Sequence, residues 1–75
     1  MTTKTEQNFM IDCIVTDLVT YLITDYNLSE TEAMSTVFNS EYYTRLVDTS
    51  TDLYIESSAY NYYLLRHELD YGKVA

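Results

Sequence analysis

The chain holds no proline, and its only glycine is Gly72, so the two strongest helix breakers are missing from everything before that position. A sequence of this kind is helix-compatible almost throughout, and an all-α fold is predicted. Its 75 residues make one domain, 1–75. A domain so small buries only about 60% of the surface of its unfolded chain, so its stability is expected to be modest. The usual reinforcements of small scaffolds are disulfides and metals, yet Cys13 is the sole cysteine and has no partner within the chain.

Local signals divide the sequence into a compact bundle of about four helices. Thr3 and Glu6 have capping-box spacing, in which hydroxyl and carboxylate each satisfy a free backbone donor. From there a long N-terminal helix runs over Lys4 to Tyr26. Ile11, Ile14, Val15, Leu18, Tyr21, Leu22 and Tyr26 recur along it at three- and four-residue steps, and Phe9, Met10, Val19 and Ile23 widen that apolar face. A helix so broadly apolar is expected at the centre of the fold, and Cys13 is expected inside it as a small buried hydrophobe.

Asn27 is a left-handed cap, and Ser29 with Glu32 forms a second capping box, with Leu28 and Ala33 as its hydrophobic staple. Helix 2 should span Glu30 to Phe38, and Ser40 should cap helix 3 over Glu41 to Val47. Residues 48–52, Asp-Thr-Ser-Thr-Asp, read as a loop, because short polar side chains bond back to the local backbone. The cap of the last helix lies at Asp52, Ser57 or Ser58, which leaves Leu53 to Glu56 as a separate turn, and Gly72 is the stop. The predicted core is Ile11, Ile14, Leu18, Leu22, Val37, Phe38, Leu46, Leu53, Tyr60 and Leu64.

Charge narrows the function. Twelve acids against four bases leave a formal charge of −8, which repels phosphate backbones and anionic membranes. Lys4, Arg45, Arg66 and Lys73 are too scattered for a basic patch, so helices 2 and 3 do not read as a DNA-binding pair and no direct nucleic-acid partner is expected. The apolar run from Phe9 to Ile23 is interrupted by Asp12, Thr16, Asp17 and Thr20, which rules it out as a membrane span. The first residues lack the pattern of a signal peptide, and a cytoplasmic setting is the default.

Catalytic and metal constellations fail one by one. Asp48-x-Ser50-x-Asp52 copies the start of a calcium loop, but Leu53 stands where glycine is required and Ala59 where a bidentate glutamate is required. His67 is the only histidine, so no zinc motif forms, and it reads as a surface residue near a helix C-terminus. Glu30 and Glu32, like Glu68 and Asp70, are two residues apart on a helix and point in different directions. One glycine cannot make a phosphate loop. Neither an enzyme nor a cofactor is expected.

The nine tyrosines are the remaining signal. Tyr42-Tyr43 and Tyr60-Asn61-Tyr62-Tyr63 place rings on adjacent positions, so some point inward and others outward. Tyrosine is enriched at protein interfaces, since it buries a large area with few rotors and keeps a polar tip. Tyrosines that pad the edge of a small core are the equal alternative.

Several stretches resemble a small, uncharacterised family of bacterial all-helical proteins. They are Met10-Ile11-Asp12-Cys13-Ile14, Asp17-Leu18-Val19-Thr20-Tyr21-Leu22, Asn39-Ser40 with Tyr43 and Leu46, and Leu53-Tyr54 with Glu56-Ser57-Ser58 and Tyr60. Such proteins resemble partners encoded beside toxin-like genes, including ADP-ribosyltransferase-like ones. The resemblance implies an antitoxin-like or accessory binding role. The expected function is thus a non-enzymatic acidic module that binds a protein with a basic surface or cleft, through Tyr42, Tyr43, Asp48, Asp52, Glu56, Tyr62 and Tyr63. An alternative is a nucleic-acid mimic that inhibits a nuclease or DNA-binding protein, and a homodimer is a third arrangement.

Overall fold

A computed structural model describes residues 3–73. Met1 and Thr2, where the reading for a signal peptide began, lie outside the described residues. Four helices follow in order: α1 (Lys4–Tyr26), α2 (Glu30–Phe38), α3 (Glu41–Val47) and α4 (Ser58–Tyr71), with two single 3-10 turns, Thr49–Thr51 and Leu53–Ile55, between α3 and α4. There is no strand among the described residues. The all-α bundle with a long N-terminal helix is therefore the fold of this chain.

The caps explain the boundaries. Thr3 Oγ1 accepts from the Glu6 N–H at 3.1 Å, but the Glu6 carboxylate accepts from the Thr3 hydroxyl, not from its backbone, so only half of the expected box closes. At α2 both halves form: the Glu32 N–H donates to Ser29 Oγ at 3.1 Å and the Ser29 N–H to Glu32 Oε1 at 3.0 Å. The Ser29 N–H, with the Ser29 hydroxyl beside it, holds the Glu32 carboxyl below its ordinary pKa. Asn27 takes the left-handed conformation (φ 54°) that ends α1, and Gly72 (φ 82°) does the same after α4.

Ser40 serves two helices at once. Its hydroxyl donates to the Val37 carbonyl at 2.6 Å and accepts from the Tyr43 N–H at 3.0 Å, closing α2 and opening α3 within one residue. Of the three candidate caps for α4, Ser57 is the one used, through the Tyr60 N–H at 3.1 Å. Asp52 instead takes a left-handed turn (φ 58°) between the two 3-10 segments.

α1 is the spine, with α2, α4 and the second 3-10 turn laid against it. Its inward stripe is Ile11, Ile14, Leu18 and Leu22, the last two fully buried. Ala33 and Val37 come from α2, Tyr42 and Leu46 from α3, Tyr54 from the turn, and Tyr62, Leu64 and Leu65 from α4. Truncating a fully buried leucine such as Leu18 leaves a cavity and costs about 2–5 kcal/mol.

Three core expectations need correction. Phe38 and Tyr60 lie exposed, and Leu53 only half-buried at the edge. Phe38 is the last residue of α2, and it meets Tyr43 edge-to-face instead. Cys13 is exposed, and so is Phe9. On a helix of 3.6 residues per turn Cys13 stands about 200° round from Ile11, on the side turned away from the core.

Candidate protein-binding surface

The orientation of α4 is set by one polar side chain. Asn61 is fully buried; its Oδ1 accepts from the Tyr42 hydroxyl at 2.5 Å, and its Nδ2 donates to the carbonyls of Leu53 at 3.0 Å and Ser57 at 2.9 Å. Every polar atom of that amide is thereby satisfied, as burial requires. One side chain ties α3, the turn and α4 together. Leu64, Leu65 and Tyr62 then face inward, and the opposite side of α4 is left to solvent.

Acidic side chains pin the same helix from outside. Both Glu68 oxygens accept backbone N–H groups at the start of α3, from Glu41 at 2.9 Å and Tyr42 at 2.7 Å. The Tyr62 hydroxyl donates to Asp25 at 2.7 Å, that of Tyr26 to Asp70 at 3.3 Å, and that of Ser58 to Asp17 at 2.5 Å. Arg66 lies over the Tyr62 ring, 5.7 Å from its centroid, and the Tyr26 hydroxyl beside it holds the guanidinium above its ordinary pKa.

With α4 fixed in this way, its outer side carries a run of rings. Tyr60 and Tyr63 stack at 6.4 Å, Tyr63 and His67 lie 6.3 Å apart, and His67 and Tyr71 4.8 Å apart. The His67 ring also meets the Lys73 carbonyl through Nδ1 at 2.8 Å, which folds the segment after Gly72 back on the helix. Tyr60, Tyr63 and Tyr71 are 46%, 57% and 72% exposed. Beside this ladder runs a shallow groove of about 370 Å³ lined by Ala59, Tyr62, Tyr63, Arg66, His67, Asp70 and Tyr71.

The residues expected to bind a partner separate into three groups. Tyr42 has no exposed surface and Tyr62 only 9%, so both are core residues and not exterior contacts, a correction of their expected place. Burial also pushes both phenols above the ordinary tyrosine pKa, and for Tyr62 the Asp25 carboxylate adds to the shift. Tyr43 is half-buried against the core, while Tyr63 is exposed in the middle of the ladder. Asp48, Asp52 and Glu56 are exposed along the 3-10 segment. Asp48 spends Oδ1 on the Ser50 N–H at 3.1 Å and the Ser50 hydroxyl at 2.7 Å, which lowers its pKa. It acts as a turn cap.

Tyr60, His67 and Tyr71 were not among the expected contact residues. Their signal was in the sequence as steps of three and four from Tyr60 through Tyr63 and His67 to Tyr71, the spacing of neighbours on one helix face. Among the described residues no three His, Cys, Asp or Glu side chains gather as metal ligands would, and no helix is long and apolar enough to cross a membrane. Compared with known proteins, the chain matches no family model, no curated protein and no solved structure.

Proposed function

We propose that this chain is a non-enzymatic protein-binding module, antitoxin-like or inhibitory in role, whose aromatic ladder on α4 docks a protein with a basic surface or cleft. The observation that carries the reading is the ladder itself. Three exposed tyrosines stand in one row with a histidine, and rigid, amphipathic rings of this kind dominate binding energy at interfaces. A net charge of −8 adds long-range attraction for a basic partner. The antitoxin-like role rests on the resemblance of the helical stretches to small proteins encoded beside toxin-like genes.

The nucleic-acid mimic draws less support from the placement of the acids. Asp17, Asp25, Glu32, Asp48, Glu68 and Asp70 all accept hydrogen bonds from groups within the chain. A mimic needs its carboxylates in an ordered outward array, whereas Glu32 and Asp48 cap local turns and the other four bridge between helices.

Affinity capture from the cell of origin, with wild type beside the triple variant Tyr60→Ala, Tyr63→Ala, Tyr71→Ala, tests the reading. A protein retained by wild type and lost with the triple variant is expected. Equal recovery by both would sink the ladder as the docking surface. Repeating the capture across a salt series separates the two functions, because affinity that collapses steeply between low and physiological salt is the behaviour of a phosphate mimic.

A further inference from the structure

We propose that proton uptake by His67 releases the docked partner, so that docking on α4 is strong above neutrality and weak in mild acid. The proposal rests on the docking reading and adds its regulation. His67 is the chain's only histidine, and imidazole is the one side chain whose ordinary charge change falls between about pH 5 and 8. It stands in the middle of the ladder, 6.3 Å from the Tyr63 ring and 4.8 Å from that of Tyr71. A partner seated on those rings therefore covers it.

One bond fixes the neutral form. A carbonyl oxygen can only accept, so Nδ1, 2.8 Å from the Lys73 oxygen, carries the proton. Nε2 is left with the lone pair, and a second proton enters there. The bond to Lys73 survives protonation, because Nδ1 donates in both forms. The switch is thus a change of charge on a ring held in place, without rearrangement of the ladder.

The charges around the ring belong to the chain with or without a partner. Arg66 and Asp70 line the same groove, and Lys73 follows the helix. α1 brings Asp25, which accepts from Tyr62, and Tyr26, which donates to Asp70. α3 brings Glu41, whose carboxylate pairs with Arg45 at 3.9 Å and whose backbone N–H meets Glu68. These groups act on an imidazolium in the free chain and in the complex alike, so what the partner adds decides the sign. It strips water from the ring, which disfavours the charged form, and its basic surface repels that form. Both effects oppose protonation, and by linkage the proton opposes docking to the same degree.

The protein captured by wild type at about pH 7.5 and lost with the triple tyrosine variant is purified, and its affinity for the full chain is measured by calorimetry down to about pH 5.5. Over that range wild type should weaken by about tenfold more than His67→Gln, which is neutral throughout. In proton magnetic resonance the His67 ring should take up its proton at lower pH in the complex than in the free chain. Equal pH dependence of the two chains, or a ring that protonates at the same pH bound and free, would overturn the switch and leave the ladder as the docking surface. If no captured protein depends on the ladder at about pH 7.5, the docking reading falls and takes the switch with it.

Discussion

The Tyr42 hydroxyl donates to Oδ1 of Asn61 at 2.5 Å, and neither side chain has any exposed surface. Removing one partner strands the other in an apolar interior, where an unsatisfied polar group costs about 1–3 kcal/mol. Tyr42→Phe should therefore lower stability by about 1–2 kcal/mol. Asn61→Leu should cost more, because the carbonyls of Leu53 and Ser57 lose their donor as well. Thermal unfolding followed by circular dichroism checks both, with about 4–8 °C of midpoint per kcal/mol in a domain of this size. An Asn61→Leu variant as stable as wild type would refute the role given to that amide.

Glu68 acts as a cap supplied from another helix. Its two oxygens take the N–H groups of Glu41 and Tyr42 that α3 cannot satisfy itself. Substitution by alanine should cost about 1–2 kcal/mol, the range of a lost N-cap. Glu68→Gln keeps one acceptor and should fall between the two. Equal midpoints for wild type and alanine variant in urea titrations would count against the cross-helix cap.

Acid should weaken the fold partly through Glu32 and Asp48. Both carboxyls titrate lower when folded than when unfolded, so their contribution is present above the unfolded pKa and disappears as pH falls through the folded one. Glu32→Gln and Asp48→Asn should each flatten the dependence of melting temperature on pH across the carboxylate range. Unchanged slopes in both would contradict the hydrogen bonds assigned to them.

Alkali acts with the opposite sign. The phenols of Tyr42 and Tyr62 titrate higher when folded than when unfolded, so their stabilisation is complete below the ordinary tyrosine pKa and is lost as pH rises beyond it. In an ultraviolet titration these two should ionise only as the chain unfolds. Tyr42→Phe should remove part of the alkaline loss of stability.

Cys13 is exposed, and should react with a thiol-specific reagent in the native protein at close to the rate of the unfolded chain. Protection of more than about tenfold would return it to the interior, since exchange through opening tracks the folding equilibrium. Cys13→Ser should leave the melting temperature nearly unchanged, as surface substitutions do.

Helix boundaries were legible because they are written in short-range chemistry. Ser29 and Glu32, Asn27, Ser40 and Gly72 each act on backbone groups within a few residues, and each works as its spacing implies. The side of α4 that faces inward was not legible. Which ring of Tyr60, Tyr62 and Tyr63 is buried depends on the rotation of the helix, and that is fixed by Asn61 meeting Tyr42 and by Glu68 meeting the start of α3. Those partners lie far away in sequence. Cys13 is different, because its place opposite Ile11 follows from helical spacing alone. Its apolar neighbours in sequence suggested an interior that the helix turns away from.

The geometry of α1 has a consequence for how this chain fails. It lies under α2, α4 and the second 3-10 turn, and the remaining segments have no comparable platform among themselves. A single protease nick near Leu18 would leave two fragments, neither holding enough shared surface to stay folded. The molecule should disappear from a digest all at once, with no trimmed survivor, and its lifetime would track the equilibrium opening of one rod.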